Sequence, residues 1–148
     1  MKRSKAKRLK VNQGTALVEM AIVLPLLLIL TLGMIEYGWL FLQAQRITNA
    51  ARQGARTSAM AGADETDGVN ALVAALGTYL DNKITAGGGT KTVTIYAAGD
   101  AGSPDPNNAV VEAKVTLPTA GILIVHAPGL IPVPSQLRGE VVMAKEGG

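Results

Sequence analysis

Residues Ala16–Leu42 read ALVEMAIVLPLLLILTLGMIEYGWLFL, and the character of this run decides everything after it. Met20 to Ile35 are sixteen consecutive residues without a charge, most of them large aliphatics. As a helix, the 27 residues would extend about 40 Å, enough for the ~30 Å hydrocarbon core of a bilayer and a turn or two of headgroup. Tyr37, Trp39 and Phe41 cluster at the far end, where an aromatic belt belongs. A cleaved secretory signal is the competing reading. Its apolar core is usually 7–15 residues and closes on a small-x-small site. This run is longer and passes into QAQRI, with no good site immediately after it. A buried helix of a soluble protein is poorly supported, because no other segment is apolar enough to surround it.

Charge sets the expected orientation. Of 14 Lys+Arg, six fall in the first ten residues: Lys2, Arg3, Lys5, Lys7, Arg8 and Lys10. Only Arg46, Arg52 and Arg56 follow soon after the span. The positive-inside rule then places the N-terminus in the cytoplasm and the C-terminal 106 residues across the membrane. Residues 15–148 hold 8 basic and 11 acidic residues, a net of −3, so the basicity belongs to the leader and gives no reason to expect nucleic acid as a partner. The absence of cysteine excludes a disulfide framework, a zinc ribbon and a thiol nucleophile. One histidine, His126, excludes a multi-His metal site. It sits in ILIVHAPG with no nearby acid, so a structural histidine is expected and not a catalytic one. We expect no catalytic residues, no metal and no cofactor.

Two residues inside the span need a reason. Pro25 has no N–H, which removes the usual partner of the Ala21 carbonyl and predicts a kink or local loosening. Glu19 places a carboxylate near lipid, at a cost of roughly 2.5–3.5 kcal/mol at a helix centre and less near an end. Just before it stands Gln13-Gly14-Thr15-Ala16-Leu17-Val18-Glu19. A cut after Gly14 would give Thr15 a new α-amino group, with Glu19 four residues on and therefore on the same helix face. That ammonium, on the same or a neighbouring subunit, is the natural partner for the acid. Gly14 would give a protease an extended, unobstructed backbone at the membrane edge.

A basic leader, a glycine, four residues, a glutamate and a long apolar helix resemble the type IV prepilin pattern. More narrowly, GTALVEMAIVLPLLLILTLGMIEYGWLFLQAQRITNAARQGAR is similar to the TadE-like proteins of the tight-adherence pilus system. The matching positions are Gly14, Ala16, Val18, Glu19, Ala21, Pro25, Leu27, Glu36, Gly38, Phe41 and Asn49 to Arg56, within residues 13–56. Met20 stands where many tight-adherence prepilins carry Tyr, a departure that points away from the major subunit. The resemblance implies cleavage by a membrane aspartyl prepilin peptidase on the cytoplasmic side. It further implies that the mature chain joins or primes a pilus or pseudopilus, beside other pilins, an ATPase and inner-membrane platform proteins.

Beyond the span, residues 43–62 should continue the helix. Ala50, Gly54, Ser58 and Gly62 recur every four, flanked by Ala51, Ala55 and Ala59. Such small stripes, with Gly33 inside the span, let a second helix approach closely. The stripe fits packing between subunits and packing on the chain's own sheet equally well. Arg52 and Arg56 lie one turn apart and read as a solvated face or as charges for a neighbour. Glu36 would pair with an arginine of another chain or simply reach the headgroups.

The polar break 62–68 has helix-start character, and Val69, Leu72, Val73, Leu76 and Leu80 predict an amphipathic helix over 69–82. Thr92–Ala97 and Ala109–Leu117 alternate as strands, the second with Val111, Ala113, Val115 and Leu117 on one face. Between them lies a turn-rich loop whose Asp100 and Asp105 lack the spacing of an EF-hand. Pro118–Pro134 holds four prolines and should be an irregular crossing, followed by a last strand over Gln136–Lys145. The expected fold is α+β. A leader covers 1–14, a transmembrane helix 15–42, and a small extracytoplasmic domain 64–148 of pilin-like plan, with a second helix and an antiparallel sheet. So thin a core, with only Tyr79 and Tyr96 as aromatics beyond the membrane, should gain stability from partners. The leading expectation is a minor pilin or pseudopilin. An uncleaved single-pass protein of an envelope or secretion complex is the alternative, and a membrane-tethered enzyme finds no nucleophile-base pair.

Overall fold

A computed structural model of the chain describes residues 5–125 and 131–146, with the side chains of the first helix from Gly14 onward. His126 lies outside the described residues. Helix α1 covers Lys5–Ala59 and is continuous through Pro25, so the kink expected there is not a break. From Gly14 to Ile35 none of its residues is buried among the described residues: Leu17 and Ile22 are each 72% exposed, and no residue of the most apolar window is buried. This is the one helix among the described residues long and apolar enough to cross a membrane. From Glu36 onward α1 changes character. Glu36, Leu40, Gln43, Ile47, Ala50, Ala51, Gly54, Ala55, Ser58 and Ala59 form a buried stripe, spaced three and four apart as one face of a helix requires.

Helix α2, Glu65–Ala86, starts with a reciprocal cap. The Asp64 carboxylate accepts from the Asp67 amide at 2.8 Å, and that of Asp67 accepts from the Asp64 amide at 3.2 Å. This satisfies two of the amides a helix start leaves unpaired. The helix is longer than the spacing predicts at both ends and bends at Gly77, whose φ of 71° and ψ of 161° are open essentially to glycine alone. Leu72, Leu76, Leu80 and Ile84 stay buried on one face across the bend.

Three strands, β1 (Lys91–Tyr96), β2 (Val110–Pro118) and β3 (Gln136–Ala144), form an antiparallel sheet in that order. Central β2 turns Val111, Ala113, Val115 and Leu117 onto the helices, all four fully buried. Helix α1 lies over β3 and β2, α2 alongside toward β1. The Glu65 carboxylate accepts from the Ile95 amide at 2.8 Å, which occupies a donor on the edge strand. A single 3₁₀ turn, Thr119–Gly121, opens the crossing to β3. The result is the expected α+β plan.

Close approach replaces bulk in this core. A Cβ at Gly68 would lie 2.0 Å from Ser58 Oγ and 3.0 Å from the Gly54 carbonyl. One at Gly139 would lie 2.8 Å from Ile47 Cγ2 and 3.1 Å from its carbonyl oxygen. The end of α1 is closed by the end of the chain. Lys145 Nζ donates to the carbonyls of Ser58 (3.0 Å) and Ala63 (3.2 Å), a cation where the helix dipole is negative. The Glu146 amide donates to Ala59 at 2.8 Å.

On the sheet's other face Glu112, 6% exposed, pairs with Lys114 at 2.7 Å and accepts from the Tyr96 hydroxyl at 3.3 Å. Burial pushes its carboxyl up, but the hydrogen bond and charge of Lys114, with Glu140 and Tyr96, outweigh this and hold it below the usual 4.5. A carboxylate lowered by folding stabilises above its unfolded pKa and loses that contribution as pH falls through the lowered value.

Two outcomes follow for the full chain in detergent micelles. Gly68→Ala must push α2 off α1 and is expected to cost about 1–3 kcal/mol in chemical unfolding, while Gly33→Ala, which meets nothing within 4 Å, leaves the midpoint in place. Glu112→Gln is expected to lose about 0.5–1 kcal/mol at neutral pH, since Lys114 is partly solvated. The gap between variant and parent should close as pH falls below the lowered carboxyl pKa.

Candidate functional site

The residues singled out from the sequence fall at two levels of α1. The near level holds Gly14, Thr15 and Glu19. All three are exposed, and the Glu19 carboxylate meets no cation among the described residues. The backbone at Gly14 is helical, not extended as the sequence suggested. The leader holds four Lys and two Arg, good helix formers, and one glycine costs only about 1 kcal/mol in such a run. A protease would have to unwind this turn, and Gly14 is where unwinding is cheapest. Pro25 is likewise exposed, and Gly33 is half-buried with open space beside it.

The far level is built by Glu36, Tyr37 and Trp39. Glu36 is only 1% exposed. Its carboxylate accepts from the amides of Ile124 at 3.2 Å and Val125 at 2.6 Å. It is therefore not presented to a neighbour or to headgroups, the two roles open to it in the sequence. Loop amides outside a sheet need acceptors, and a carboxylate hidden from water needs donors, so each satisfies the other. The Tyr37 hydroxyl donates to the Pro132 carbonyl, and Trp39 Nε1 donates to the Ile122 carbonyl at 2.9 Å. The aromatics read as a membrane belt thus also hold the proline-rich crossing against α1.

Ala50 and Gly54 are packing residues within the chain. A Cβ at Gly54 would lie 2.9 Å from that of Leu72 and 3.0 Å from the Gly68 carbonyl. Of the two readings of the small stripe, the structure shows the internal one, with α2 as partner as well as the sheet. Arg52 and Arg56 point away from this interface, are exposed and make no ion pair among the described residues. With Phe41 (66% exposed), Gln45 and Asn49 they form a strip along the outer face of α1. Asp100 and Asp105 serve their own loop: Asp100 accepts from the Ala97 amide, Asp105 from the Asn107 amide and the Asn108 side chain. Those bonds hold the Asp105 carboxyl below its ordinary range, the Asn108 side chain most of all.

Sequence reasoning missed Gly68, Gly139 and Gln43. A glycine inside a strand pattern is a signal of close backbone approach, and it identifies Gly139. Gln43 has no such signal. It is fully buried, with neither amide atom hydrogen-bonded among the described residues.

Glu36→Ala leaves two loop amides without acceptors, at about 1–3 kcal/mol each. In hydrogen exchange on the full chain in micelles, the Ile124 and Val125 amides are expected to lose protection, while those of Val115 and Leu137 keep theirs.

Comparison with known proteins gives one family, described as TadE-like protein, whose model matches residues 14–56. No curated protein and no solved structure matches the chain. The matched segment begins at Gly14, ends at Arg56 and so takes in both levels of α1 described above; over residues 14–56 the chain is similar to the TadE-like proteins.

Proposed function

We propose that the chain is a minor pilin or pseudopilin of a tight-adherence pilus system, made as a prepilin and anchored in the inner membrane. In this reading its N-terminus is cytoplasmic and its small domain lies across the membrane. It is a substrate of the prepilin peptidase and a structural or assembly-initiating part, with no catalytic residue, metal or cofactor of its own. Its partners are lipid, that peptidase, other pilins or pseudopilins, and the inner-membrane platform proteins.

One observation carries this. The family pattern divides cleanly between residues the fold uses and residues it leaves bare. Glu36, Ala50, Ala51, Gly54 and Ala55 are buried and have partners in the chain. Gly14, Glu19, Phe41, Asn49, Arg52 and Arg56 are exposed, and the charged ones among them make no ion pair among the described residues. A protein that assembles through α1 gives them partners. Hydrolysis of the Gly14–Thr15 bond leaves an ammonium on Thr15 one turn from Glu19, and Glu19 then holds the amine of its own or a neighbouring chain. Arg52 and Arg56 face the next subunit.

An uncleaved single-pass protein is favoured by one fact, the unbroken helix through Gly14. The N-terminal mass of the membrane-extracted protein, from cells that also make a prepilin peptidase, separates the two. A chain beginning at Thr15 is expected, with full-length material accumulating in Gly14→Leu. A native chain that retains Met1 overturns the processing.

A further inference from the structure

The longest run without Asp, Glu, Lys or Arg in this chain is not the span. It is residues 115–137, 23 residues between Lys114 and Arg138, against the 16 of Met20–Ile35. The structure ties the described parts of that run to α1 at one level. The amides of Ile124 and Val125 bond to Glu36, the carbonyl of Pro132 to Tyr37 and the carbonyl of Ile122 to Trp39.

That level coincides with the membrane boundary. A hydrocarbon core of ~30 Å takes about 20 helical residues. If the near boundary lies at Thr15, the far one falls at Ile35. If it lies at Glu19, the far one falls at Trp39. Both placements put the crossing between β2 and β3 where acyl chains give way to headgroups. Its exposed surface fits: Ile124 is 52% exposed, and at the same level Ile35 is 51% and Tyr37 48% exposed.

We propose that the described parts of this crossing, residues 119–125 and 131–135, form a lipid-contacting collar, seated in the far headgroup zone of the bilayer with the Ile124 side chain entering the acyl region. The proposal rests on the membrane-anchored reading of α1. Lipid is the occupant because exposed Ile124 lies at the level where the bare span ends and because charge is depleted there as it is in the span. A charged side chain at that depth costs free energy that one facing water does not. The carboxylate that does lie there, Glu36, is covered by loop amides instead of facing the bilayer. The collar makes the small domain rest on the membrane at a fixed rotation of α1, in place of swinging freely above it.

The chain has no cysteine, so single-cysteine labelling reports one site at a time. Full-length Ile124→Cys, Leu28→Cys and Met60→Cys carry an environment-sensitive fluorophore in phosphatidylcholine vesicles doped with lipids bearing nitroxides at shallow or deep acyl positions. Leu28 is mid-span, and Met60, 46% exposed, follows the distal end of α1. The probe at 124 is expected to be blue-shifted and quenched by shallow nitroxides several-fold more than at 60, with the probe at 28 quenched by deep ones. Quenching at 124 no greater than at 60, with 28 still quenched, overturns the collar and leaves the anchor standing. A blue shift at 124 without lipid quenching means a protein surface covers Ile124, which also overturns it. No quenching at 28 overturns the anchor and the collar with it.

Discussion

The Glu36 carboxylate joins two parts of the chain that meet different solvents. From Met20 to Ile35, α1 carries no charge and none of its residues is buried. After Glu36, α1 is amphipathic and carries the sheet and α2. A rod with such an abrupt change needs something to hold the domain against it at the change itself, because helix propensity alone says nothing about where a loop comes to rest. Two amides on one carboxylate, a tyrosine hydroxyl on Pro132 and an indole N–H on Ile122 do this within one turn. Hydrogen bonds of this kind gain strength where water is scarce, which is the condition at the end of a membrane span.

The rest of the domain is held by proximity more than by volume. Its buried side chains are mainly Ala, Val, Leu and Ile, and each alanine transfers little apolar area. Compensation comes from backbones that approach where glycine permits: Gly54 and Gly68 at the α1–α2 crossing, Gly139 beneath Ile47. Gln43 works against this economy. A buried amide side chain with neither end bonded among the described residues costs about 1–3 kcal/mol, and it sits on the same stripe, two turns beyond Glu36. The interior therefore combines a thin apolar gain with an open polar cost, which fits a domain that keeps company with its own membrane helix.

Much of the fold could be read from local pattern. The uncharged run gives the candidate span, the polar break over 62–68 signals the start of a helix, and alternation along 111–117 gives the buried face of β2. These signals lie within a few residues of one another, so periodicity reports them. The misses are non-local. The acceptors at Glu36 serve amides 88 and 89 positions away, and no spacing rule reaches that far. The small stripe at 50–59 carries the same information whether it meets a second copy or α2, so only three dimensions separate the cases. Helix α2 runs past Asn82, and Ile84 continues the four-residue spacing of Leu72, Leu76 and Leu80 beyond the stretch read as helical from the sequence. At Gly14 the sequence marks a place where a helix yields easily, and the structure shows that place within α1.

These non-local partners change what the TadE-like segment means. A recurring pattern is usually treated as one signal, but here it is two signals interleaved on one helix. The face at Glu36, Ala50 and Gly54 is consumed in building a single copy, so its residues specify the fold. The face at Phe41, Asn49, Arg52 and Arg56 lies roughly opposite, is bare, and is set beyond the apolar run where lipid no longer covers the rod. Arginine is poorly suited to fill such a surface for packing's sake, since its planar donor fork is best matched by a carboxylate or a carbonyl pair. Two arginines one turn apart on a rigid rod fix both the spacing and the direction of whatever acceptors meet them. The helix thus presents a bare apolar surface from Met20 to Ile35, its own domain along one side of the part beyond, and a regularly spaced donor face along the other.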